Sequence, residues 1–238
     1  MSKATKTEIT ETQTAAMPVP AYLQQGSSLG NEQVGTEGVE IPRISLVQQS
    51  SKCVDPNHKN YVEGVKPGHF LNSLTKEFFS EVYCINMKFE ECFVVWAGGG
   101  KLGEFKSMAE AQQAIDEATF LSPDEKKEAR PTQTHRHLIW VIDPETNTLE
   151  SMPYILDFAS SKMRVSKSWN SNIAVKGYDR FSHIWRLSTV SETKGNNSWL
   201  NLVVEPIGYV QEQTYIQAKE YYERYLAGDN QQEATVTH

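Results

Sequence analysis

The sequence predicts an α+β fold: an antiparallel sheet, either open or rolled into an OB-like barrel, with inserted and appended helices. Three observations predict it. About six to eight segments alternate apolar and polar side chains at the strand period. Three or four others repeat at the helical period. Hairpin connections between strands are common, which favours antiparallel neighbours over crossover units.

The folded part is expected to begin at Ile41-Pro42-Arg43, where Ile44, Leu46 and Gln48 alternate with Ser45 and Val47. Asn57 to Asn60 and Lys66-Pro67-Gly68 are turn chemistry, and His69 to Asn72 is a short extended piece. Phe78 to Phe89 reads as a strand with Phe79, Tyr83, Ile85, Met87 and Phe89 on one side. Cys92 to Ala97 reads as another. Only Glu90 and Glu91 separate the two, so they form a hairpin or one bent strand. Ser107 to Ala118 is helical, with Met108, Ala111, Ala114 and Ile115 on one face. Ser122-Pro123-Asp124-Glu125 opens a short charged helix, with Ser at the cap and Pro at the first position. His137 to Ile142 is a central strand, and Leu149 to Leu156 another. Ala159 to about Val175 is a helix with Val165, Trp169 and Ile173 on one side and Arg164, Lys167 and Ser171 on the other. Phe181 to Val190 and Trp199 to Glu205 form a hairpin about Lys194-Gly195-Asn196-Asn197. Tyr215 to Leu226 closes the fold as a helix capped by Thr214 and Gln217.

Composition sets the outer limits. Residues 1–40 carry Lys3 and Lys6 against five Glu and few aliphatics, so an acidic disordered N-terminal arm is expected there. Residues 41–227 make a single globular domain and 228–238 a flexible tail. No apolar run approaches the roughly 20 residues that span a bilayer, and the N-terminus lacks the apolar core of a secretory signal. A cytoplasmic protein without membrane partners is expected. Cys53, Cys84 and Cys92 are an odd set without a CxxC pair, as in a reduced compartment. The net charge of −7 argues against a protein that coats duplexes by bulk charge, but it leaves room for a local basic groove.

Motifs for other chemistries are weak. Gly98-Gly99-Gly100-Lys101-Leu102-Gly103 lacks the GxxxxGK[ST] spacing and reads as a hairpin turn. Cys53, His58, His69 and Cys84 or Cys92 include enough donors for zinc but not the two close ligand pairs a structural site uses. His135-Arg136-His137 reads as exposed polar residues at a strand start. No hydrolase, Walker or two-metal nuclease pattern appears. No enzymatic activity and no cofactor are expected.

The segment from Ser160 to Val190 stands apart. Lys162, Arg164, Lys167, Lys176, Arg180 and Arg186 face a single acid, Asp179, in an acidic protein. Trp169, Tyr178, Phe181 and Trp185 are interleaved with them. Cations pair with phosphates and flat rings stack on unpaired bases, so the segment reads as a groove for single-stranded nucleic acid. The six cations are the candidate phosphate contacts, and Tyr178 and Trp185 the candidate stacking rings. Trp169 falls on the apolar helix face and reads as core; Trp185 fits core and stacking equally. Lys162 lies in the apolar stripe, either snorkelling at the helix start or touching phosphate.

Ile41 to Gln48 (IPRISLVQ), Gly68 to Ser73, Phe158-Ala159-Ser160-Ser161 and Trp185 to Thr189, followed by Lys194-Gly195 and Trp199, resemble a group of bacteriophage proteins encoded beside replication and recombination genes. The likeness covers roughly residues 41 to 226. It implies a phage single-stranded-DNA-binding or replication-accessory protein in the host cytoplasm. Its partners would be DNA, replication or recombination proteins, and further copies of itself. The alternative is a virion, assembly or host-enzyme-binding protein acting through protein contacts. The chain lacks the strongly acidic C-terminal tail of well-studied phage strand binders.

Overall fold

A computed structural model describes residues 40–226. The expected N-terminal arm, apart from Glu40, and the expected C-terminal tail lie outside the described residues.

Among the described residues, two antiparallel sheets form. The smaller joins β1 (Ile44–Leu46), β2 (Phe70–Asn72) and β3 (Phe78–Phe79) in that order. The larger is built around β4 (Val82–Ala97), 16 residues long. One edge of β4 pairs along its length with β6 (Arg130–Val141). The other edge is shared: β8 (His183–Lys194) pairs with its first residues, and β5 (Gly100–Phe105) with its last. Outer strands β7 (Tyr154–Ala159) and β9 (Asn197–Tyr209) give the order β7-β6-β4-β8-β9. The sheet stays open, so of the two expected forms the antiparallel sheet is observed and the closed barrel is not. β1 packs beside both outer strands. It is fastened to β7 by a bond from Ile155 N–H to Pro42 O (2.8 Å). The Gln48 side-chain amide imitates a strand partner for β9: it donates to Leu200 O (2.8 Å) and accepts from Leu200 N–H (3.0 Å).

Helices cover both faces of the large sheet. On one face, α3 (Met163–Lys176) lays Trp169 and Ile173 on Cys84, Ile139, Leu156, Phe158, Trp185 and Leu187. On the other, α4 (Glu212–Tyr221) sets Ala218 against a core containing Ile85, Met87, Trp140 and Phe181. Burying each of the Ile, Leu, Phe and Met side chains among them contributes roughly 1.5–3 kcal/mol, so the two cores together hold the sheet. Two further helices, α1 (Met108–Glu117) and α2 (Pro123–Glu128), start on serine caps: Ser107 accepts from Glu110 N–H, and Ser122, the cap expected for α2, forms a complete capping box with Glu125.

Three departures from the sequence reading have physical causes. The expected strand over 78–89 is divided, and its second half runs unbroken through Glu90 and Glu91 to Ala97. A bulge at Met87 inserts one residue against β6, so Phe89 emerges on the opposite face from Tyr83, Ile85 and Met87 and meets His135 and His137. The final helix starts three residues before Tyr215. Thr214 does not cap it, because its hydroxyl donates to Asn147 O (2.8 Å) instead.

Candidate functional site

The basic segment is aimed by its two ends. β7 stops at Ser160, a non-glycine residue at φ 53°, where the chain turns sharply into a short 3-10 turn and then α3. Gly177, at φ 70°, ends α3 in the left-handed conformation, with its N–H bonded to Ala174 O (3.2 Å). Between these ends the helical period separates two populations. Ser166, Trp169 and Ile173 are buried; Arg164, Lys167 and Ser171 face outward.

The outward residues at the start of α3 face the β8–β9 hairpin across an open trough of about 780 Å³. Arg164, Lys167 and Lys194 line it with Met163 and the half-buried ring of Trp199. Glu192 is the one carboxylate among the lining residues. It accepts from Arg164 Nη2 (2.9 Å), Trp199 Nε1 (3.2 Å) and Asn201 Nδ2 (3.0 Å). Neither Lys167 nor Lys194 has a carboxylate partner among the described residues. Three cations against one acid is a cationic trough on an acidic protein, open enough for an extended anionic chain.

The structure divides the predicted site residues among several places. Arg164 and Lys167 reach the trough. Lys162 does not: it is half-buried behind the helix start, beside Arg43, Asp157 and Leu202. Burial there pulls its ammonium below the ordinary lysine value, and the Asp157 carboxylate partly offsets this. Lys176 and Tyr178 sit at the far end of α3, about 18 Å along the helix axis from Arg164. Tyr178 is exposed and packs edge-on against Tyr209 (6.1 Å). The remaining three residues require correction. Trp185 is 0% exposed, with the Trp169 ring edge-on at 5.9 Å, so no face of its ring is free to stack on a base. Arg186 lies across the sheet from α3, bound to Glu205 and near Glu81. Arg180 points inward. Its Nη1 donates to Asn86 Oδ1 (3.2 Å), both Nη atoms donate to Asn170 Oδ1 (3.0 Å), and its guanidinium lies over the Phe89 ring. The predicted single groove from 160 to 190 does not form, because strand alternation puts Arg186 on the other face and the turn after Gly177 drives Arg180 beneath the helix.

What Arg180 joins is a buried polar belt. His137 Nδ1 pairs with Asn86 Nδ2 (2.8 Å), and its Nε2 with Ser166 Oγ (2.7 Å). His135 Nδ1 meets the same hydroxyl (2.8 Å). Ser166 and both imidazoles are buried, contrary to the exposed strand start expected for His135 and His137. The His137 ring stacks on Trp169 at 4.6 Å and 11°. Burial, with Arg180 and His135 nearby, holds His137 neutral down to a pKa of about 2. The belt aligns α3 on the sheet; it presents no open face to a ligand. On the opposite face, Arg136 and Arg43 bracket Glu104 and Asp157 in an ion-pair network. Hydrogen bonds from Arg136 and Lys101 lower the Glu104 pKa to about 2 despite partial burial.

Among the described residues, no group of three or more His, Cys, Asp or Glu is placed to hold a metal ion. The cysteines are free; Cys53 and Cys84 are buried, and burial pushes the Cys84 thiol far up. No helix among the described residues is long and apolar enough to cross a membrane.

Sequence reasoning missed Lys194 and Trp199 as site residues, treating them as a turn and a strand start. The missed signal is the hairpin register. Folding the chain about Gly195 sets Glu192 opposite Trp199, beside the start of α3. Comparison with known proteins finds one family model, described as Pam3 phage gp34-like protein, that matches residues 10–231. No curated protein and no solved structure matches the chain.

Proposed function

The chain belongs to the Pam3 phage gp34-like family, and on that premise we propose that it binds single-stranded DNA without sequence preference during phage replication or recombination. The observation that carries this reading is the trough between α3 and the β8–β9 hairpin. Arg164, Lys167 and Lys194 would pair with successive phosphates, and Trp199 offers a ring beside them for an unpaired base. This replaces the groove expected from residues 160–190 with a smaller one that draws on two separate segments. Lys176 and Tyr178, with Tyr209, would touch only a strand long enough to follow α3 to its far end.

A titration of labelled oligo-dT at two salt concentrations tests the proposal, comparing wild type with R164E/K167E/K194E. Binding that weakens steeply with salt and is lost in the triple variant is expected. Each phosphate contact on a single strand adds about 0.7 to the slope of log K against log salt. Equal, salt-insensitive binding by both proteins would remove the reading.

A second reading has its own observation. Val175, Tyr178 and Tyr209 are 88%, 62% and 64% exposed near the far end of α3. Exposed apolar groups of this kind suit a protein contact in a virion, an assembly intermediate or a host enzyme complex. Recovery of the protein with a single host factor and without DNA, abolished by Y178D/Y209D, would favour it.

A further inference from the structure

We infer that Glu192 is the built-in occupant of a phosphate cradle formed by the Arg164 guanidinium, the Trp199 indole N–H and the Asn201 amide. The inference rests on the strand-binding reading for its biological use, but the cradle is defined by geometry alone. Three donors converge on one carboxylate: Arg164 at 2.9 Å, Trp199 at 3.2 Å and Asn201 at 3.0 Å. Two of them are fixed. Asn201 is 0% exposed, and its own Oδ1 accepts from Leu202 N–H (2.9 Å), which locks the amide orientation. Trp199 sits on β9 directly opposite Glu192. The third donor stands in solvent: the Arg164 side chain is 80% exposed, whereas the Glu192 side chain is only 27% exposed.

A donor set of two neutral N–H groups and one guanidinium is suited to an oxyanion and not specifically to a carboxylate. A phosphate diester has the same need for two or three converging donors. Glu192 therefore competes with an incoming phosphate in two ways: it holds the donors, and its negative charge repels the strand at the middle of an otherwise cationic trough. Strand entry exchanges one anion for another. Glu192 swings toward solvent, and Arg164 changes partner. The exchange sets a ceiling on affinity and gives rapid release.

Two variants separate the cradle from the strand-binding reading. E192Q keeps shape and one acceptor oxygen but removes the charge; it is expected to bind oligo-dT roughly three- to tenfold more tightly than wild type at low salt, the gain shrinking as salt screens it. E192A empties the cradle. Titrating it with inorganic phosphate and following the Trp199 indole N–H by nuclear magnetic resonance (assigned with W199F) should give a saturable shift that wild type does not show. Thermal melting checks that both variants fold. An indole resonance in E192A that ignores phosphate overturns the cradle. So does E192Q binding no tighter than a wild type that itself binds. If wild type fails to bind oligo-dT, the strand-binding reading falls, and the phosphate titration still decides the cradle.

Discussion

The two sides of α3 carry similar chemistry to opposite ends. On its outer side Arg164 and Lys167 stand over an open trough, solvated and exchangeable. On its inner side Asn170 holds Arg180 against Asn86, within a belt that continues through His137, Ser166 and His135. Both guanidiniums come from the same basic stretch. One is available to a ligand; the other is a structural pin whose charge is shared among amide oxygens and the Phe89 ring. Local positive charge is therefore a poor guide to a binding surface. A cation serves a ligand only when its present partners can be exchanged without leaving buried groups unsatisfied.

The contrast predicts a graded response to substitution. The largest effect is expected at Trp169, which joins the apolar core to the stacked imidazole of His137. Trp169→Ala should cost about 3–5 kcal/mol in chemical denaturation. A loss under about 1 kcal/mol would mean that α3 is not docked as described. Next is Arg180→Ala, which strands the carbonyl oxygens of Asn86 and Asn170. It should lower stability by about 2–4 kcal/mol, and failure to bind DNA in that variant would report misfolding and not a lost contact.

Acid should act on the inner belt before it acts on the ion-pair network across the sheet. His137 in the folded protein has a pKa of about 2, below the ordinary value of an exposed imidazole, so the unfolded chain takes up the proton first. Its contribution is complete above about pH 6.5 and is lost progressively as pH falls. By pH 4.5 the loss from this group is about 2–3 kcal/mol. His183, also lowered by burial, acts with the same sign. Glu104, held near 2, adds its own loss only below about pH 4.5, where the unfolded carboxylate protonates. Melting temperatures across pH 7.5 to 3.5 should show the two stages. A flat profile down to pH 4.5 would contradict a buried neutral His137. The smallest effect on stability belongs to the outer side: Lys167→Ala and Lys194→Ala should each change unfolding free energy by less than about 0.5 kcal/mol while weakening oligo-dT binding. A strand-binding loss without a stability loss is what sets the trough apart from the belt.

Local rules made much of the fold legible in advance. The Ser122 cap with Pro123 after it, the apolar stripe of Val165, Trp169 and Ile173, and the β8–β9 hairpin were all readable from spacing alone. The Met87 bulge was not. A bulge carries no signature in composition, yet it reverses the facing of Phe89 and so helps to build the pocket that Arg180 fills. At the candidate site, Arg164 and Lys167 were legible as an outward pair. Lys194, Trp199 and Glu192 were not, because they reach the trough only through a hairpin that lies nearly thirty residues further on.

The amino-acid sequence by itself determined the α+β class, the antiparallel pairing and the outward face of α3, since each depends on side-chain periods of two or 3.6 residues. Only the tertiary structure decided which cations remained in water. Arg164 and Arg180 have the same chemistry, and their fates diverged through contacts with residues distant in the chain, Glu192 for one and Asn86 for the other. Which cation is buried is a property of the assembled whole, through partners that no side-chain period specifies.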